Sequence, residues 1–192
     1  MFQVRLHGRG GQGVVTAAEL LSVAAFLDGH EAQAFPSFGS ERMGAPVMAF
    51  CRIAETRIRV REPVTEPDAV IVGDATLLHH VDVFAGLAAD GFALVNSARP
   101  LHDLGLADLE QRHAPHRLRT VPASDLARVH LGRPLPNICL LGAFAALTGT
   151  VSLTAIEQAT NDRFAPAIAA ANIAAARAAY HAVCPIEEAV DA

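Results

Sequence analysis

The sequence predicts an α/β fold: a single Rossmann-like, doubly wound, mostly parallel sheet with one antiparallel hairpin excursion and a helical C-terminal third, all in one domain of residues 1–192. Three observations predict it. The short apolar runs Asp68-Ala69-Val70-Ile71-Val72-Gly73 and Phe92-Ala93-Leu94-Val95-Asn96-Ser97 are of the kind buried on both faces of a parallel sheet. Strand-like and helix-like stretches alternate along the first two thirds of the chain, the pattern of an α/β protein. From residue 136 onward the pattern is helical and no further strand is read.

In the first strand Phe2, Val4 and Leu6 alternate with polar neighbours. It runs into Gly8-Arg9-Gly10-Gly11-Gln12-Gly13, and residues 14–26 follow with apolar residues at helical spacing. A strand that stops at glycines and turns straight into a helix leaves the first-turn N–H groups unpaired, a positive, donor-rich end for a phosphate or carboxylate. Gly8, Gly10 and Gly13 have the G-x-G-x-x-G spacing, in which glycines permit a tight turn, close approach of a ligand and packing of helix on strand. Gly11 is one glycine more than that spacing requires. A dinucleotide site also needs an acidic residue about twenty positions on, at the end of the second strand. That strand is read at residues 31–35 and ends Ala34-Phe35-Pro36-Ser37, with no carboxylate; Asp28 and Glu31 lie at its other end. This argues against nicotinamide or flavin. It leaves a turn that only packs or seats a partner subunit, a phosphate-bearing ligand, or a cofactor shared with another chain.

Residues 45–53 and 57–60 read as two strands joined at Ala54-Glu55-Thr56, a half-buried antiparallel hairpin. Arg57, Arg59 and Arg61 alternate with Ile58 and Val60, as a solvated face or as a basic edge that meets an acidic partner. Asp74 stands just past the strand at 68–73, where it caps the next helix or touches a ligand at the carboxyl edge of the sheet. His79 and His80 do not suggest a metal site, because adjacent helical side chains point about a quarter turn apart. Residues 118–122 read as a short edge strand, and Ser124-Asp125 as a helix start by capping.

Pro136-Asn137 opens a helix with Ile138, Leu141, Phe144, Ala145 and Leu147 as its apolar stripe, ending at Gly149. Ser152 resembles an N-cap, but Ala155 stands where a capping box needs Glu or Gln. The final helix, from about Pro166, is alanine-rich, carries Asn172, Arg177 and Tyr180, and is expected to cover the sheet.

Composition excludes several classes. The chain has 192 residues, enough to bury its own core, and 52% of them are hydrophobic, much of this alanine. Such a surface suits a subunit that buries part of itself against partners. The net charge of -5, with no lysine and no basic run, argues against nucleic acid. Cys51, Cys139 and Cys184 lack C-x-x-C spacing and are too few to ligate an iron-sulfur cluster, and sparse cysteines fit a reducing compartment. No signal peptide and no run of eighteen apolar residues is read, so the chain is expected in the cytoplasm without a membrane span. No nucleophile has a recognisable activating motif, so no catalytic residue and no metal ligand is assigned here.

The turn 8–13 with Val14-Val15-Thr16-Ala17-Ala18, the loop Ala34-Phe35-Pro36-Ser37-Phe38-Gly39-Ser40-Glu41-Arg42-Met43-Gly44-Ala45-Pro46-Val47 and the run Ala49-Phe50-Cys51-Arg52-Ile53 resemble the gamma subunit of 2-oxoacid:acceptor oxidoreductases of the pyruvate:ferredoxin type. The resemblance continues through Pro136-Asn137-Ile138-Cys139-Leu140-Leu141-Gly142-Ala143 and the tail at 164–180, nearly the whole chain. One departure is Met43, where many relatives carry a second basic residue, leaving Arg42 as the fixed cation of the loop. The resemblance implies a complex that decarboxylates a 2-oxoacid, attaches coenzyme A to the acyl fragment and passes two electrons to ferredoxin or a similar acceptor. Thiamine diphosphate, magnesium and iron-sulfur clusters are then expected in the alpha, beta and ferredoxin-like delta subunits, with coenzyme A as co-substrate. Gly8, Arg9, Gly10, Gly11, Gln12 and Gly13, with Ser37, Phe38, Gly39, Ser40, Glu41 and Arg42, become the candidate cofactor-binding and interface residues. Two other readings stay open: a stand-alone mononucleotide-binding or regulatory module, and the small subunit of an indolepyruvate-type enzyme. The missing ribose carboxylate and apolar composition argue against the first, and the wording of residues 35–42 favours the pyruvate-like gamma group over the second.

Overall fold

The computed structural model describes residues 1–37, 43–60 and 62–184. In chain order the regular elements are β1 (Phe2–Arg9), α1 (Val14–Leu27), β2 (Glu31–Pro36), β3 (Pro46–Ala54), β4 (Ala69–Val72), β5 (Phe92–Asn96), α2 (Ala107–Arg112), β6 (Leu118–Val121), α3 (Ala123–Leu131), α4 (Asn137–Thr148), α5 (Leu153–Arg163) and α6 (Pro166–Val183). The strands form one sheet in the order β2-β3-β1-β4-β5-β6. β1, β4, β5 and β6 run parallel, and β3 is antiparallel to both β1 and β2.

The antiparallel excursion is therefore present but is not the hairpin expected. Residues 57–60 form no strand, and β3 pairs instead with β2 and β1, with Val4 opposite Cys51 on one side and Ala34 opposite Cys51 on the other. The reason is burial on both faces. Ala49, Cys51 and Ile53 join the main core, while Phe50 and Arg52, on the opposite face, are also buried. A two-stranded hairpin with the exposed Arg57 and Arg59 would leave that second face wet. Instead the Arg52 guanidinium donates to the carbonyls of Val60 and Glu62 and to the Gln3 side chain, drawing the segment beneath the sheet.

One face of the sheet is apolar and carries the long helices. Val4, Leu6, Ala49, Cys51, Ile53, Ile71 and Leu94 pack with α1, α4, α5 and α6 in a continuous core. α4 is buried from Asn137 through Ala145, all round rather than along the expected stripe, as befits a helix enclosed by other layers. The expectation that α6 covers the sheet holds only at β6: it packs chiefly along α4 and α3. Small residues allow this close approach. A Cβ on Gly142 would lie 2.1 Å from the Ala176 carbonyl oxygen.

The other face is held differently. Over β4 and β5 a second apolar cluster packs against 3₁₀ turns at Ala75–His79 and His102–Leu104 and against α2. Beneath β1 the Arg5 guanidinium is buried and donates to the carbonyls of Val64, Val83 and Ala85 and, through Nε, to His7 Nε2 at 3.1 Å. These bonds satisfy loop carbonyls that would otherwise be costly to bury.

Capping shows how local and distant signals combine. Ser152 caps α5, its Oγ accepting from Ala155 N–H at 3.0 Å. The missing half of its capping box comes from Asp28, 124 residues away, whose carboxylate accepts from the Ser152 N–H and hydroxyl. Ser124, expected to cap, does not: α3 starts at Ala123, and Ser124 is instead bonded through both its N–H and its Oγ to the Asn96 amide at the end of β5.

Candidate functional site

The glycine turn lies at the carboxyl ends of β1 and β4, where the chain leaves β1 toward one side of the sheet and β4 feeds the other. In open α/β sheets this crevice is where ligands collect. β1 continues through Gly8 and Arg9, and the turn is then tied to the residues just before β3: Gly10 N–H donates to Ala45 at 2.8 Å and Gly44 N–H to Gly10 at 3.1 Å. Gly13 stands before α1 with φ of +72°, and a Cβ there would lie 2.4 Å from Asn137 Nδ2. Both the left-handed backbone and the close start of α4 require glycine at this position.

The polar side chains of the turn are turned inward. The Gln12 amide accepts from Arg9 N–H at 2.8 Å and donates to Asp74 at 2.8 Å. Arg9 lies 3.3 Å from the Asp74 carboxylate and donates to the Thr76 hydroxyl and the Gly44 carbonyl. Asp74 both caps the following 3₁₀ turn, accepting from Thr76 N–H at 2.9 Å, and anchors the glycine turn, so both roles read from the sequence are present. Burial pushes the Asp74 carboxyl up, but hydrogen bonds from Thr76 and Gln12 and the Arg9 charge outweigh it, and the carboxyl sits below its usual range. Arg9 and Gln12, predicted as ligand contacts, are thus engaged in holding the turn.

What remains facing outward is backbone and apolar surface. An open cleft of about 450 Å³ lies between Gly10-Gly11 and Val14-Val15-Thr16 at the start of α1, with Met43 and Val47 on its other side. The first-turn N–H groups of α1 point into this region by the geometry of any helix start. A small cavity of about 20 Å³ lies nearby, with Leu6, Val14, Ile71 and Leu140 in its lining; it is bordered by Asn137, whose buried Oδ1 has no partner among the described residues. Ser37 continues the backbone ladder, its N–H donating to Met48 at 2.9 Å. Phe38, Gly39, Ser40, Glu41 and Arg42 lie outside the described residues.

Met43, Val47, Thr76 and Asn137 were not singled out as site residues from the sequence. Asn137 belongs to a quoted motif, but nothing local tells that α4 begins against α1. Other reactive groups are quiet. Burial, followed by the Arg5 charge, lowers the His7 imidazole to about 4, so it is neutral at physiological pH. Burial pushes the Cys139 thiol up to about 12 and raises Cys51 as well. Among the described residues no three His, Cys, Asp or Glu side chains gather to hold a metal ion, and no helix is long and apolar enough to cross a membrane.

A family model described as pyruvate ferredoxin/flavodoxin oxidoreductase matches residues 3–182. The chain is 46% identical over 180 residues to the pyruvate/ketoisovalerate oxidoreductases common subunit gamma of Pyrococcus abyssi, covering 94% of this chain and 96% of that one. It is 45% identical over 181 residues to the pyruvate synthase subunit PorC of Methanocaldococcus jannaschii, with the same coverage. The crystal structure of the pyruvate oxidoreductase subunit PORC from Thermotoga maritima superimposes with a TM-score of 0.79 at 37% identity, covering 94% of this chain and 95% of the other. The match runs end to end with separate gamma subunits, and it includes both the glycine turn and the β2–β3 excursion. The chain therefore belongs to the pyruvate ferredoxin/flavodoxin oxidoreductase family, as a gamma subunit of a 2-oxoacid:ferredoxin oxidoreductase.

Proposed function

We propose that residues 1–192 form one gamma-type domain whose glycine turn and 37–46 loop meet the catalytic subunits and take the anionic part of coenzyme A. The partner subunits, alpha, beta and a ferredoxin-like delta, carry thiamine diphosphate with magnesium and the iron-sulfur clusters. There a 2-oxoacid is decarboxylated, its acyl fragment passes to coenzyme A, and two electrons leave to ferredoxin, in the cytoplasm. The cofactor is the electron sink, and the protein orients the reactants. In this reading the gamma chain contributes binding and position, not a reacting side chain.

The observation that carries the reading is the open cleft at the start of α1. Among the described residues no side chain accepts from the N–H groups of Val14, Val15 or Thr16, since Gln12 is bonded to the Arg9 N–H and Asp74, and Arg9 to Asp74 and Thr76. A donor-rich helix start with an open approach suits a phosphate. The side chains proposed to complete the anionic contact are Ser37, Ser40 and Arg42. Arg42→Ala, tested in the assembled complex, is expected to raise the KM for coenzyme A about tenfold, the weight of one charge-assisted contact. Unchanged coenzyme A kinetics in a complex of normal composition would overturn the role given to this loop.

A further inference from the structure

The cleft has an unusual wall. Met43 is 87% exposed, the most exposed large apolar side chain among the described residues, and it stands directly over the glycine turn. It is not loosely placed. The backbone that follows it is bonded to Gly10, through Gly44 N–H and the Ala45 carbonyl, and Gly10 and Met43 form a parallel bridge. Its sulfur lies against Gly11: a Cβ there would sit 2.6 Å from Met43 Sδ. This accounts for the extra glycine of the turn, which has φ of +93° and leaves room for the thioether. Val47 extends the same apolar wall, and Val15 also lines the cleft.

Among the described residues, the Arg9 guanidinium and the Gln12 amide are bonded within the protein, and the side chain presented over the turn is a polarisable thioether. We propose that Met43 is a specificity-determining contact: it holds the flat heteroaromatic ring of a phosphorylated ligand whose phosphate sits at the start of α1. An exposed apolar residue fixed in a cleft marks a binding surface, and sulfur against an aromatic ring is a favourable contact. The proposal rests on the anionic-ligand reading above and deepens it, because the adenine of coenzyme A is such a ring. It separates ligand recognition into two parts, backbone for the phosphate and Met43 for the base.

The test uses the assembled complex, with adenosine 3′,5′-bisphosphate and inorganic pyrophosphate as competitors of coenzyme A. Met43→Ala is expected to weaken inhibition by the bisphosphate about three- to tenfold, the range of a sulfur–aromatic contact, and to leave pyrophosphate inhibition as it was. Thr16→Glu, which places a carboxylate at the start of α1 where the helix itself tolerates it, is expected to weaken inhibition by both. If Thr16→Glu weakens both while Met43→Ala weakens neither, or weakens the two equally, the role of Met43 is overturned and the anionic site stands. If Thr16→Glu changes neither, the anionic site itself is not in this cleft and both readings fall.

Discussion

The two faces of the sheet under β1 and β3 are made from the same strands and are held by opposite means. On one face Val4, Leu6, Ala49, Cys51 and Ile53 meet α4 and α1 through apolar contact alone. On the other, Arg5, which also donates to His7, and Arg52 meet irregular loops through directed hydrogen bonds to carbonyls. The difference teaches what each kind of cover requires. A helix arrives with its backbone already bonded and asks only for a matching surface. A loop arrives with unpaired carbonyls and needs donors, and a guanidinium supplies several at fixed angles.

The comparison is broken most severely on the apolar face. Gly142→Val is expected to cost about 4 kcal/mol or more, because even a methyl group at that position meets the α6 backbone; urea unfolding of the purified subunit reads this directly. On the polar face, Arg5→Met keeps much of the volume but strands three loop carbonyls, with an expected cost of about 3 kcal/mol. Its unfolding and the limited proteolysis of residues 62–86 should worsen together. If Arg5→Met were neutral, the loops would be held by something other than the guanidinium.

His7 sharpens the contrast through pH. Its imidazole titrates near 4 in the folded chain and near 6.5 when exposed, so between those values the unfolded chain takes up a proton that the folded chain refuses. Its contribution is intact above pH 6.5 and is lost as the pH falls toward 4, up to about 3 kcal/mol. Subtracting the pH profile of His7→Gln from that of the parent chain should isolate this slope, and parallel profiles would exclude it. The smallest effect lies in the helical layer: Ser152→Ala is expected to cost about 1 kcal/mol by the loss of the α5 cap and of its bond to Asp28.

Much of this was legible along the chain. β1, β4, β5 and β6 were read close to their observed places because apolar alternation or an apolar run marks them locally. α1, α4, α5 and α6 likewise show helical spacing, and Ser152 and Asp74 act as the caps their positions suggest. The glycine turn was legible as a strand-to-helix junction with a donor-rich end. Less legible was its wiring. Arg9 and Gln12 looked available in the sequence, and the residues that occupy them, Asp74 and Thr76, stand more than sixty positions away.

The sequence by itself determined the fold class, the order of the elements, the position of the turn and the family, because each of these is written in local periodicity or in a run of adjacent residues. Only the tertiary structure decided that β3 sits between β2 and β1, that α6 lies on α4, that Asp28 completes the cap of Ser152, and that Met43 stands over Gly11. A local pattern records that a side chain is to be buried or bonded. It does not record by what, since the partner is chosen when distant segments meet and their unsatisfied groups and free surfaces are matched.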